Sequence, residues 1–173
     1  MMSNGEAFLE EFMSHFRAFA AVACLFALTL MTFAQEKPAP KKSAGGGAVD
    51  KSYLQKIWNG WATLNPDNTA EFYAKGPHVF FDIAPVKYNS WDEYYAGVKN
   101  VLAGFQSATF KVNDDSQIHP AGKNVWITAT IASDMVEKSG KHDMSTMRWT
   151  AVFEKSGGKW LIVHEHVSEP VGQ

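Results

Sequence analysis

Apolar side chains recur along this chain with two different periods, and the change from one to the other divides it. Over residues 50–64, Leu54, Ile57, Trp58, Trp61 and Leu64 recur every three or four positions, which lays a single apolar stripe along a helix. Asp50 stands where that helix needs an N-cap acceptor. Asn65-Pro66 then stops it and opens a second one, because Asn caps well and Pro suits the first helical position. Ala70, Phe72 and Tyr73 give this short helix its buried side, and Lys75-Gly76-Pro77 ends it. Val79-Phe80-Phe81-Asp82 reads as a short buried strand closed by Ala84-Pro85. A third helix begins at the capping box Ser90-Trp91-Asp92-Glu93, with Tyr94, Val98, Val101, Leu102 and Phe105 on its apolar face.

Beyond Gly104 the period falls to two. Four strands are expected, over about 107–119, 124–137, 143–155 and 159–169. Val125-Trp126-Ile127-Thr128-Ala129-Thr130-Ile131 is the clearest, rich in β-branched and aromatic residues. Turn chemistry separates them at 120–124, 138–141 and 156–159. Helices followed by a run of antiparallel strands define an α+β fold. Strands this long twist and coil. The expected architecture is a cone, a curved antiparallel sheet wrapped around three N-terminal helices with a hollow on its concave side.

The first 34 residues follow neither pattern. Ala18 to Phe33 is almost wholly apolar, Arg17 precedes it, and Thr32-Phe33-Ala34 has the small-x-small form of a cleavage site. Residues 1–34 therefore read as a signal peptide, which implies export to the periplasm or the cell exterior. The run is shorter than the roughly 20 residues of a spanning helix, so a membrane is expected only as an anchor left by an uncleaved signal. Glu6, Glu10 and Glu11 are unusual in such a segment, and translation from Met13 would remove them. Cys24, the chain's one cysteine, lies inside the apolar run, with too short an apolar stretch before it for a lipidation signal. Residues 35–49, with Lys37-Pro38-Ala39-Pro40 and Gly45-Gly46-Gly47, read as a flexible linker, and 50–173 as the folded domain.

Composition adds little beyond this. Apolar residues make up 46% and aromatics 13%, enough for a core, and the net charge is −2, so no nucleic-acid partner is indicated. No cofactor motif is present, and none is expected.

The C-terminal third carries a resemblance. Arg148-Trp149-Thr150-Ala151-Val152-Phe153, then Gly158-Lys159-Trp160, then the closing strand His164-Glu165-His166-Val167-Ser168 resemble the SnoaL-like group of the nuclear-transport-factor-2-like superfamily. That superfamily includes ketosteroid isomerase and the association domain of calmodulin-dependent kinase II. The resemblance spans the whole domain. It implies a cystatin-like cone, a homodimer packed through the sheet, and a small, mostly apolar ligand in the cavity.

Candidate chemistry follows from both sources. Asp82 matches the base position of the isomerase motif, among apolar neighbours that would raise its pKa. The bland alternative is an Asp that caps a turn. The isomerase's oxyanion partners are missing, since Trp58-Asn59-Gly60-Trp61 stands where its Tyr is expected and Trp149 near its second acid. His164 and His166 alternate on one strand and share a face, which on the concave side would suit acid–base work or ligand contact. They could begin a metal site, but spacing supplies no third ligand and no metal is expected. Arg148, also expected to pair with Asp134, would anchor a ligand's acid group. A two-residue turn at Gly157-Gly158 would place Arg148 with Glu165, and a three-residue loop, the favoured choice, would place it with His164 and His166. Tyr73, Tyr88, Tyr94, Trp126 and Trp149 are the candidate aromatic lining. The expected site is thus Asp82 as base and His166 as second polar group, with Tyr73, Tyr88, Trp126, Arg148, Trp149 and His164 as ligand contacts. A non-catalytic carrier or oligomerisation module is the rival reading.

Overall fold

The structure, a computed structural model, describes residues 47–171. The signal peptide expected over 1–34, and the linker up to residue 46, lie outside the described residues. Helix α1 (Lys51–Trp61) starts as its sequence demands, with the Asp50 carboxylate accepting from the Tyr53 amide at 2.8 Å. Helix α2 (Trp91–Leu102) is capped by Ser90 Oγ, which accepts from the Glu93 amide at 3.2 Å. Glu93 reaches back one residue further than a capping box requires, to the Asn89 amide at 2.7 Å.

The expected second helix is instead two 3₁₀ turns, Pro66–Asn68 and Ala70–Phe72. Asn65 does accept from the Asp67 amide, but Thr69 makes no side-chain cap and falls between the turns. Segments this short lack the hydrogen bonds to propagate an α-helix. The turns pack close on α1 because Gly60 has no Cβ; one there would stand 2.8 Å from the Asn68 carbonyl.

Six strands form one sheet: β1 (Phe80–Phe81), β2 (Phe105–Val112), β3 (Gln117–Ala121), β4 (Asn124–Glu137), β5 (His142–Ser156) and β6 (Lys159–Ser168). Their order is β1-β6-β5-β4-β2, and β3 continues the β2 edge along β4. All neighbours are antiparallel except β1, which runs parallel to β6, so the sheet is mixed. It is curled and unclosed. The strand expected over 107–119 is broken into β2 and β3. There Asp115 leaves the ladder, and its carboxylate accepts from the Thr130 amide at 3.0 Å and the Thr130 hydroxyl at 2.7 Å. Edge strand β2 is shielded by Gln55 of α1, which donates to the Phe110 carbonyl and accepts from the Val112 amide.

Alternation along β4, β5 and β6 sorts the two faces. Ile127, Ile131, Met147, Trp149, Phe153, Ile162 and Val167 face inward against α1 and α2 and are buried. The β5–β6 turn consists of two residues, Gly157 and Gly158, both at positive φ, with Ser156 opposite Lys159. That corrects the three-residue loop. The register nevertheless slips once, because Phe153 pairs with Ile162 and Val152 with His164, leaving Val163 unpaired as a bulge. Beyond the bulge Ala151 opposes Glu165 and Arg148 opposes Ser168. Arg148 therefore shares a face with His164 and His166 after all, through the bulge and not through the turn.

Candidate active site

The inward face carries a carboxyl that composition alone would not place in a core. Glu165 is 1% exposed. Tyr73 donates to its Oε1 at 2.9 Å and the Trp149 indole donates to its Oε2 at 2.9 Å. Tyr73 is itself held by the Trp61 indole, which donates to the phenol oxygen at 3.1 Å. The Tyr94 phenol of α2 lines the same space as both carboxyls, and its influence pulls the pKa of Glu165 and of Asp82 down. Burial pushes the Glu165 carboxyl up to about 7, against the pull of the Trp149, Tyr94 and Tyr73 hydrogen bonds. The same burial, followed by the charge of Glu165 for Tyr73 and of Asp82 for Tyr94, raises both phenols well above their ordinary value.

Asp82 reaches this cluster through the short strand before it. Phe80 pairs with Glu165 and Phe81 with His166, so the residue that follows leaves the sheet beside the inner end of β6. Reciprocal bonds between Phe80 and Tyr88, at 3.0 and 2.8 Å, close the intervening loop, in which the Ala84–Pro85 peptide is cis. Asp82 keeps some contact with solvent, but protein surrounds most of it, and burial raises its pKa. Hydrogen bonds from the Ile83 amide and Tyr94 oppose that rise.

Asp82 and Glu165 both line a hollow of about 240 Å³ enclosed by α1, α2 and the inner sheet face. Trp58, Trp61, Tyr94, Trp149 and Phe110 are its aromatic walls. Trp58 stands edge-on to Trp149 with ring centres 5.5 Å apart. Exposed Ile83, Val101, Asp143 and Glu169 mark its rim. Two carboxyls of raised pKa, lining one apolar chamber beside a phenol, can move a proton between two atoms of a bound molecule.

The expected site divides against this geometry. Asp82 and Trp149 stand in the lining, and Tyr73 supports Glu165 from behind it. Tyr88 is buried outside the lining. It packs against Tyr94 with ring centres 5.2 Å apart, and its hydroxyl donates to the Ala84 carbonyl at 3.2 Å. Four residues sit on the opposite face of the sheet, a correction fixed by the bulge and the pleat. His166 is exposed there. His164 meets the Val79 carbonyl at 2.7 Å through Nδ1, with its ring edge-on to Phe81. Arg148 donates to the Glu169 main-chain carbonyl at 2.9 Å and lies opposite Thr130, while Asp134 pairs with His142. Trp126, 40% exposed, stacks on His119 at 3.9 Å.

Sequence reasoning missed Glu165 as a site residue and gave Tyr94 no role beyond lining. A signal existed for the first. Glu165 is a lone acid between two histidines on an otherwise apolar strand, and inverting the facing assignment makes it the buried one.

The helices, the curled mixed sheet and the hollow between them define the nuclear-transport-factor-2-like class of α+β cones. A family model described as "SnoaL-like domain" matches residues 53–172, and the chain belongs to that family. Among solved structures, a nuclear-transport-factor-2-like protein from Salmonella enterica serovar Typhimurium is similar at 19% identity and TM-score 0.64. That match covers 71% of this chain and 92% of that one. A candidate scytalone dehydratase from Novosphingobium aromaticivorans matches at 8% identity and TM-score 0.61, over 70% and 90% of the two chains. A candidate calcium/calmodulin-dependent kinase II association domain from Xanthomonas campestris matches at 20% and 0.55, over 75% and 96%. At these identities the likeness is one of fold. No curated protein matches the chain.

Proposed function

We propose that the hollow binds a small, mostly apolar molecule and catalyses proton transfer on it, as an isomerase or lyase. The observation that carries this is the pair of carboxyls, Asp82 and Glu165, that line one aromatic chamber together with the Tyr94 phenol. The two carboxyls differ in surroundings. Glu165 has no solvent, whereas Asp82 has some, so Asp82 ionises first and Glu165 keeps its proton longer. Asp82 takes a proton from a carbon next to a carbonyl, and the C–H electron pair moves toward oxygen. Tyr94, backed by Glu165, donates a hydrogen bond to that oxygen. Return of the proton to another carbon is isomerisation, and loss of a neighbouring hydroxyl as water is elimination. A dehydratase name among the structurally similar proteins supports the second outcome.

The test needs no natural substrate. The α-hydrogens of β-tetralone exchange with deuterated water, and the exchange is followed by proton NMR. The chain should accelerate it, and Asp82→Asn should lose at least about a hundredfold with the fold retained. Exchange no faster than in buffer would remove the catalytic reading and leave a carrier.

We further propose that two copies meet through the outward sheet face, where Trp126 and Met144 are exposed, and that the chain is exported after cleavage behind Ala34. Native and intact mass spectrometry test both.

A further inference from the structure

We infer that Trp61 and Tyr73 are a positioning pair: together they fix the Tyr73 hydroxyl as a donor to Glu165, so that a proton carried by Glu165 is given up to the hollow and not to Tyr73. The fixing stands on geometry alone, and its catalytic consequence rests on the proton-transfer reading of the hollow.

The Tyr73 oxygen is held in place. Its ring stacks on Trp91 with centres 4.5 Å apart and meets Phe80 edge-on at 5.7 Å. Its backbone is tied to β6, where the Ala74 amide donates to the Ile162 carbonyl at 2.9 Å. Only the hydroxyl hydrogen is left to turn. An indole N–H donates and never accepts, so the Trp61 bond at 3.1 Å occupies a lone pair of the phenol oxygen. The hydroxyl hydrogen then goes to Glu165 Oε1 at 2.9 Å. For Glu165 to donate to Tyr73 instead, that hydrogen would have to turn away and lose its acceptor, which is costly in a buried place. Burial holds the Tyr73 phenol well above its ordinary value, so the hydrogen stays in place wherever Glu165 titrates.

Trp149 donates to Oε2 at 2.9 Å, so both carboxyl oxygens are met by donors. A proton on Glu165 must use a lone pair that neither donor takes. The other titratable groups that face Glu165 are Tyr94 of α2 and Asp82 beyond β1, which line the hollow with it. Trp61 of α1 and Trp149 of β5 do not titrate.

Carbon-13 NMR of the full-length chain, labelled at glutamate carboxyls, reports the Glu165 titration, and Glu165→Gln assigns its signal. Tyr73→Phe keeps the ring and should move that titration about half a pH unit to one pH unit higher, because the charged form loses a donor. Trp61→Phe should move it the same way, since the released hydroxyl can accept from the protonated carboxyl. In the double variant Trp61→Phe should add nothing to Tyr73→Phe, because the indole acts only through the phenol. Exchange on β-tetralone carries the same signature. Its fall at high pH, where Glu165 ionises, should shift upward in each variant, whereas a loosened core lowers exchange at every pH. An unmoved or lowered titration in Tyr73→Phe would overturn the inference, and this variant decides it even where Trp61→Phe does not fold. So would an effect of Trp61→Phe that is the same with and without the Tyr73 hydroxyl. Titrations that move as expected in a chain that exchanges no tetralone would uphold the positioning and remove the catalytic reading.

Discussion

Replacing Glu165 by Gln removes a titration that the fold must bear. In the folded chain burial holds this carboxyl at about 7, against an ordinary value of 4.5. The folded state therefore keeps the proton over a range where the unfolded state has lost it. Stability from this group is complete below about pH 4.5 and drains away as pH rises toward 7, after which the loss is constant. Each pH unit between those values costs about 1.4 kcal/mol, so between about pH 5 and about pH 8 the wild type should lose about 2–3 kcal/mol that the Glu165→Gln variant does not. The substituted amide carries its own penalty, because its nitrogen meets a donor where Oε1 and Oε2 now accept from Tyr73 and Trp149. That penalty does not vary with pH, so the slope of the difference is the readout. Urea unfolding followed by tryptophan fluorescence, at steps across that range, gives both curves. A flat difference, or one rising in favour of the wild type with pH, would refute the placement of Glu165 as a carboxyl whose charge is opposed by burial.

Other substitutions probe the same frame. Trp149→Phe removes a donor that holds the Glu165 carboxyl down, so the Glu165 titration followed by carbon NMR should move to higher pH; a downward move would contradict the assigned hydrogen bond. Gly97→Ala puts a Cβ 2.3 Å from the Tyr88 ring, and about 1–3 kcal/mol of stability should be lost in urea unfolding. Asp115→Ala leaves the Thr130 amide without its acceptor at the break between β2 and β3, which should cost about 1 kcal/mol by the same assay. An unchanged midpoint would mean that water replaces the carboxylate without loss.

Much of the fold was legible because local chemistry and global placement agree. Asp50 and Ser90 cap the helices their sequences announce, and the period-two texture after Gly104 places β4, β5 and β6 within a residue or so of their observed ends. Where they disagree, a longer-range interaction decides. Asp115 interrupts an apparently continuous strand because its side chain satisfies Thr130 on the neighbouring one. The segment after Asn65 keeps its cap but not its α-helix, being held as turns against Gly60. The candidate site suffered more. Asp82 could be singled out from its apolar neighbours, but the facing of β6 depends on an irregularity at Val163 that no alternation pattern encodes. Inverting that facing exchanges the histidines for Glu165.

That unpaired valine makes the interior's chemistry a matter of parity. Counted from the Gly157-Gly158 turn, an unbroken ladder would set His164 opposite Ala151 and His166 opposite Trp149, filling the chamber with imidazoles and turning Glu165 to solvent. One surplus residue, absorbed as a kink, reverses the outcome for every position beyond it. Deleting Val163 would straighten β6 yet keep the carboxyl inside, whereas deleting a residue beyond it with the kink retained would invert the set. A length change of one residue in this strand, without any substitution, is therefore enough to trade an acid interior for a basic one on the same scaffold.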